Sequence, residues 1–131
     1  MYIFNNKEWQ SVFESLQNPV LILNKEKRVV YANKKLIELM KCNVEDLTGK
    51  LCIDILQNAQ GNNNLFKNFF EKIIETDLNK CVEYEIEAFG RFYFLNITPI
   101  LNENGKPDKM VCIATDITHK QKIEEELRKA K

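Results

Sequence analysis

Long apolar runs and an excess of charge of one sign are both missing from this 131-residue sequence. No run approaches the ~20 residues of a membrane span, and the N-terminus lacks the basic-then-apolar layout of a signal peptide. Nineteen basic residues balance nineteen acidic ones, so no global field attracts nucleic acid or anionic lipid. We therefore expect a single cytoplasmic domain that contacts neither nucleic acid nor membrane through this segment.

Cysteine and histidine are too scarce for a disulfide framework or a metal site. The four cysteines form no CxxC pair, and the single histidine, His119, lies in the charged C-terminal stretch. Reduced thiols and no structural metal are expected. There is also no nucleophile–base pair, glycine-rich phosphate loop or HExxH motif. These absences predict a regulatory module and not an enzyme, although a longer chain could carry a histidine kinase or another output.

The first third of the chain predicts a helix, a hairpin and a second helix. An amphipathic stripe precedes the Asn18-Pro19 stop and consists of Trp9, Val12, Phe13 and Leu16. VLILN (20–24) and RVVYAN (28–33) are β-rich and are joined by KEK, which predicts a hairpin. Asn33 can then cap a helix whose apolar face is Leu36, Ile37 and Met40.

The rest of the chain predicts two short pieces, one further helix and three strands. VEDL and LCIDIL are the short pieces, and the helical stripe is Leu65, Phe66, Phe69, Phe70, Ile73 and Ile74. The strands are CVEYEIEAF, RFYFLNITPIL and KMVCIATDI, divided by a tight turn at Gly90 and by the loop NENGKP. Strands at both ends with helices between favour an α+β domain built on one antiparallel sheet.

The late strands differ in how many faces they bury. CVEYEIEAF carries glutamate at every second position, which predicts an edge strand with one wet face. RFYFLNITPIL is apolar on both faces, so its outer face needs a cover. We predict a homodimer through the lead helix and this outer face, with an interface of Trp9, Val12, Phe13, Leu16, Phe92 and Phe94. The alternative is a monomer in which the lead helix alone covers that face.

Three stretches together resemble a PAS domain, the sensory module found upstream of histidine kinases and related outputs. They are NPVLILNKEKRVVYANKKLIELM, VEDLTGK followed by IDIL, and GRFYFLNITPILNENGKPDKMVCIATDITHKQKIEEELRK. The resemblance implies a five-stranded antiparallel sheet flanked by helices, with a small pocket between them. It divides the chain into an N-terminal amphipathic cap helix (1–18), a PAS sensory domain (19–118) and the start of a C-terminal signalling helix (119–131), with the output domain outside this segment.

Two functions are consistent with this resemblance. In the first, the domain dimerises and relays a signal through its C-terminal helix to an output such as a two-component histidine kinase. In the second, it senses a small apolar metabolite in a pocket lined by Leu21, Leu23, Leu36, Met40, Phe66, Phe69, Tyr93, Leu95, Ile97, Met110 and Cys112. Large side chains among these residues favour a small or filled pocket and therefore the relay.

Bound flavin and haem are both disfavoured. Cys52 in GKLC resembles the reactive cysteine of the light-oxygen-voltage branch of the family, but the polar neighbours of that cysteine are replaced by Leu51, Ile53 and Leu56. Tyr93 and Ala114 stand where that branch has flavin-binding amides. The helix LFKNFFEKIIE offers no histidine for haem. We expect no cofactor, and a flavin photosensor is a minor alternative.

The junction at Asp116, Ile117 and Thr118 is the predicted signalling element. Thr118 and Gln121 have the spacing of a capping box, which predicts that a helix begins directly after the last strand. Asp116 would place a negative charge near the first N–H groups of that helix. Ile123, Leu127 and Ala130 follow at heptad spacing, as in a two-stranded coiled coil.

Overall fold

The computed structural model describes residues 6–57 and 67–129, with side chains from residue 11 onward. Within these ranges the strands are β1 (Val20–Asn24), β2 (Val29–Ala32), β3 (Val82–Ala88), β4 (Arg91–Leu101) and β5 (Pro107–Asp116). The helices are α1 (Asn6–Ser15), α2 (Lys34–Met40), α3 (Cys52–Gln57), α4 (Lys67–Glu75) and α5 (Thr118–Lys129), with a 3-10 turn at Val44–Asp46. Each predicted strand and helix is present, and the ends differ by a few residues.

The five strands form one antiparallel sheet in the order β2-β1-β5-β4-β3. The α+β prediction is therefore confirmed, and β3 lies at an edge as its glutamates indicated. Along β3, Glu85 and Glu87 are exposed whereas Ile86 and Ala88 are buried. The charged face of this strand is in water, where it discourages pairing with another chain.

A two-residue turn of left-handed residues joins β3 to β4. Phe89 and Gly90 have φ angles of 55° and 74°, and Ala88 pairs with Arg91 across the turn. Two successive positive φ angles define a type I′ turn, whose twist matches that of the flanking strands. Gly90 was predicted to form the turn, whereas the conformation of Phe89 carries a steric cost that its residue type did not indicate.

The helices α2, α3 and α4 lie on one face of the sheet and bury the apolar residues there. Asn33 caps α2 as predicted, because its side-chain oxygen accepts from the Leu36 N–H at 3.1 Å. Lys27 donates to the carbonyl oxygen of Ile74 in the last turn of α4, where a cation is favourable. None of the described helices has the length and apolar character that crossing a bilayer requires.

Candidate functional site

The junction between β5 and α5 is tied to the start of β4. Asp116 ends β5, and its Oδ1 accepts from the Thr118 N–H at 2.9 Å. The other carboxylate oxygen pairs with the Arg91 guanidinium. The Ile117 N–H donates to the Phe92 carbonyl oxygen at 2.8 Å. The chain therefore leaves the sheet while still bonded to the first two residues of β4.

Thr118 has a different partner from the one predicted. The Phe92 N–H donates to Thr118 Oγ1 at 2.9 Å, and the Thr118 hydroxyl donates to the Phe92 carbonyl oxygen at 3.4 Å. The predicted capping box is wrong, because Asp116 and not Thr118 accepts from the first N–H of α5. The Gln121 side chain does not turn back to Thr118 but donates to Glu85 on β3 at 3.3 Å. The start of α5 is thus anchored to the β3–β4 hairpin.

The ion pair at the junction has a clear electrostatic signature. Partial burial of Asp116 opposes its ionisation, but hydrogen bonds from Thr118 and Arg91 outweigh this effect, so the pKa of Asp116 lies below its usual range. The hydrogen bond to Asp116 raises the pKa of the Arg91 guanidinium. Both groups are charged at neutral pH, and half of the Arg91 side chain is in contact with water.

Residues predicted to line the ligand pocket are brought together between the sheet and the helices. The buried ones share one apolar cluster and are Leu21, Leu23, Leu36, Phe69, Tyr93, Leu95, Ile97, Met110 and Cys112. Met40 packs against this cluster and is partly buried, while Phe66 lies outside the described residues. The grouping fits both a filled core and a small pocket, so ligand binding here stays a prediction.

Two buried thiols lie in the same core. Burial raises the pKa of Cys52 to about 12 although Lys27 opposes the shift, and burial also raises the pKa of Cys112. A thiol that remains protonated is a poor nucleophile and a poor metal ligand. Among the residues that the structure describes, no cluster of histidine, cysteine, aspartate and glutamate is suited to holding a metal ion.

The helix α1 covers only part of the outer face of the sheet, near β1 and β2. The Phe13 ring of α1 lies 6.1 Å from the Tyr31 ring of β2, and Glu14 accepts from the Tyr31 hydroxyl. Ile22 on β1 is accordingly 5% exposed, whereas Phe92 on β4 is 41% exposed. The remaining predicted interface residues are Val12 (46% exposed), the half-buried Leu16 and Phe94, and Trp9, whose side chain lies outside the described residues.

Sequence patterns had not singled out Arg91 or the backbone of Phe92. Strand pairing supplies the signal that could have found them, because Tyr93 on β4 pairs with Asp116 on β5. An arginine two residues before Tyr93 is then within reach of a carboxylate at the end of the neighbouring strand. The register of the β4–β5 hairpin therefore predicts the contact between Arg91 and Asp116.

These features define an α+β domain built on one antiparallel sheet, with helices on one sheet face and a helix leaving the last strand. A family model described as the PAS fold matches residues 13–122, which is more than four fifths of the chain. The chain belongs to the PAS family. No curated protein matches its sequence.

Solved structures of several bacterial proteins have the same fold. The PAS domain of Bordetella pertussis BvgS superposes with a TM-score of 0.62 at 13% identity, covering 95% of this chain and 94% of that one. A sensory box sensor histidine kinase from Vibrio cholerae gives 0.61 at 15% identity, with coverages of 86% and 90%. The Vibrio cholera VqmA–ligand–DNA complex gives 0.65 at 17% identity, covering 87% of this chain and 52% of that chain. Identities this low establish the fold alone.

Proposed function

We propose that this PAS domain forms a homodimer and relays a signal through α5 to an output domain such as a histidine kinase. The observation that carries the proposal is the bonding of the first turn of α5 to β4 by Thr118 and Asp116. The likeness to PAS domains of a sensor histidine kinase and of BvgS is consistent with it. The module itself is regulatory and not catalytic.

The anchored first turn makes α5 move with the sheet. A shift or rotation of β4 is passed to α5 through three hydrogen bonds between the Phe92 backbone and residues 117 and 118. Further along α5, Ile123 and Leu127 are 43% and 62% exposed and stand four residues apart. This spacing suits a two-stranded coiled coil, in which a second copy of α5 covers these side chains.

The outer face of the sheet supplies the second part of the proposed interface. Val12 on α1 and Phe92 on β4 are 46% and 41% exposed, so a monomer leaves this apolar area in water at a cost of ~25 cal/mol per Å². A second copy can cover both side chains. This arrangement competes directly with the alternative of a monomer covered by α1 alone.

Sedimentation of this chain at several concentrations tests the dimer. We expect the wild type to dimerise and both Val12→Glu and Phe92→Glu to be monomeric. Val44→Glu is the matched control, because Val44 is 44% exposed but lies in the 3-10 turn beside the helices. A wild type that stays monomeric at high concentration refutes the interface. If Val44→Glu weakens the dimer as much as the two test variants do, the interface is not at Val12 and Phe92.

Fusion of α5 to the dimeric catalytic part of a histidine kinase tests the relay. Each residue inserted after Lys129 rotates the kinase by ~100° relative to the sheet, so kinase activity should rise and fall with insert length. Thr118→Val removes the two hydrogen bonds between the Thr118 hydroxyl and the Phe92 backbone and should flatten this periodicity, while Thr118→Ser preserves it. Activity that is independent of insert length in the wild type contradicts a rigid relay.

Ligand sensing in the core is the second candidate. It is favoured by the predominantly apolar character of the cluster around Leu95 and Met110, and by the solved ligand complex of VqmA, which has the same fold. The expected occupant is a small, mostly apolar metabolite. Native mass spectrometry of the purified chain checks this, because a ligand would add a discrete mass that is lost on unfolding. A spectrum of the free chain alone favours the filled core.

A further inference from the structure

A cavity of about 310 Å³ lies beside the junction, between α2 and the adjacent ends of β4 and β5. Its lining is more polar than the apolar cluster of the core. Besides Tyr93, it includes four polar or charged side chains, those of Gln17, Lys35, Arg91 and Asp116. The residues that line this junction cavity include Pro19, Lys35, Leu39, Arg91, Tyr93 and Asp116. Its volume is at the lower end of the range for small-molecule sites.

The Tyr93 hydroxyl is the first sign that the junction cavity accepts a ligand. Tyr93 is 2% exposed, and its ring packs edge-on against Phe89 with centroids 6.0 Å apart. Burial raises the pKa of Tyr93, and the charge of Asp116 raises it further. Tyr93 lines the cavity, and its hydroxyl has no hydrogen-bond partner among the described residues. Every fully buried side-chain nitrogen or oxygen there has a partner, so the Tyr93 hydroxyl is accessible and not sealed in the core. An accessible phenol of this kind can donate a hydrogen bond to an acceptor that enters the cavity.

The charges around the junction cavity favour an anion. Both oxygens of Asp116 are already used, one by the Thr118 N–H and the other by Arg91. Lys35 on α2 has no acidic partner within the described part of the chain, and Arg91 uses only its Nε toward Asp116. Two cations thus face one neutralised carboxylate. Donors for a second acidic group remain at Lys35, Arg91 and Tyr93.

We propose that the junction cavity binds a small organic monocarboxylate. Its carboxylate accepts hydrogen bonds from the Lys35 ammonium and the Tyr93 hydroxyl, and its short aliphatic part packs against Leu39 and Pro19. Charge-assisted bonds of this kind supply both affinity and orientation. Binding does not depend on the proposed relay. Regulation of α5 by the ligand does rest on the proposed relay. A bound carboxylate that attracts Arg91 competes with Asp116 for this side chain and so weakens the attachment of α5 to β4.

An NMR titration of the isotope-labelled chain tests binding, with propionate and butyrate as probes. Butyramide and chloride at equal ionic strength are the controls. We expect saturable shifts for Lys35 and Tyr93 with the carboxylates in the millimolar range, and binding of butyramide weaker by at least about tenfold. Shifts that are equally large with butyramide, or that follow chloride, overturn the proposal. The absence of any saturable shift does so as well.

Matched substitutions locate the site. Tyr93→Phe and Lys35→Met should each weaken butyrate binding by about tenfold or more, the loss expected for one hydrogen bond to a charged group. Tyr84→Phe changes another tyrosine of the same sheet face, and Lys34→Met changes the neighbouring lysine of α2; neither residue lines the cavity. Equal loss in a test variant and its control contradicts the assignment. Melting temperatures verify that every variant is folded.

Amide exchange in the presence of butyrate separates binding from relay. Faster exchange at Thr118 and Gln121 with saturating butyrate supports regulation of the junction by the carboxylate. Saturable binding with unchanged exchange refutes that regulation while leaving the site in place. Failure of the relay in the kinase fusion, in turn, does not affect the titration.

Discussion

Asn33 uses every hydrogen-bonding group of its side chain. Its Oδ1 accepts from the N–H groups of Val20 and Leu36, and its Nδ2 donates to the carbonyl oxygens of Phe13 and Asn18. The residue is 0% exposed, so water does not replace a partner that is lost. One side chain therefore holds together the end of α1, the start of β1 and the start of α2.

Replacing this residue should be costly. We expect Asn33→Ala to lower the free energy of unfolding by about 2–4 kcal/mol, because a helix cap is lost and buried partners are left unpaired. Urea denaturation measures the change. Asn104→Ala, in the exposed β4–β5 loop, is the control and should stay within about 0.5 kcal/mol of the wild type. Equal stability of the two variants would contradict the role of Asn33.

Ionisation of Asp116 should control how firmly α5 is anchored. Because the folded-state pKa of Asp116 is depressed, its contribution is complete above the unfolded value of ~3.9 and is lost as pH falls through the folded pKa. We expect the carboxyl carbon of Asp116 to titrate below the ordinary range in an NMR pH series. Arg91→Gln should raise that pKa. An ordinary pKa in the wild type would show that the ion pair is not formed in solution.

At the scale of elements, α5 depends on contacts with β4 more than on its own sequence. Thr118→Ala should cost about 1 kcal/mol of local helix stability, which is small against a domain total of ~5–15 kcal/mol. The domain should stay folded while amide exchange through residues 118–124 becomes about fivefold faster. Thr118→Ser retains the hydroxyl and should exchange like the wild type. Identical protection in the Ala and Ser variants would refute the clamp.

Local patterns were sufficient to predict the strands and turns. Alternation of glutamate with apolar residues placed β3 at an edge, and Gly90 marked a hairpin that is indeed there. Asn33 was predicted as a cap from the residues that follow it. Each of these signals depends on neighbours within a few positions, where residue type and backbone geometry determine one another.

Contacts between distant parts of the chain could not be predicted in this way. The capping-box pattern considers only Thr118 and Gln121, but the strand pairing brings Phe92 to Thr118 from 26 positions away. The Thr118 hydroxyl therefore accepts from the Phe92 N–H and does not cap α5. The junction cavity is built from α2, β4 and β5 together, so no single segment contains its pattern. Such features require the register of the sheet.

At the scale of the whole molecule, we still expect neither flavin nor haem to be bound. Tyr93 and Ala114 are buried on the inner face of the sheet and offer no amide to a flavin edge, and His119 is exposed on α5, beyond the core. We expect the purified protein to be colourless, with no absorption band of flavin or haem. Reconstitution with free flavin should leave the chain unlabelled after gel filtration. A coloured species with one chromophore per chain would contradict this expectation.

The sheet order places the first and last strands of the domain side by side. Val20 at the start of β1 pairs with Ile113 near the end of β5, so α1 enters and α5 leaves at the same end of the sheet. Tension applied between the two helices therefore loads the β1–β5 hydrogen bonds one at a time, as in opening a zipper. Pulling from Ser11 and Asn104 instead would load them together in shear. In single-molecule stretching, the pair Ser11 and Lys129 should yield at the lower force, so a pull between α1 and α5 separates these two strands first.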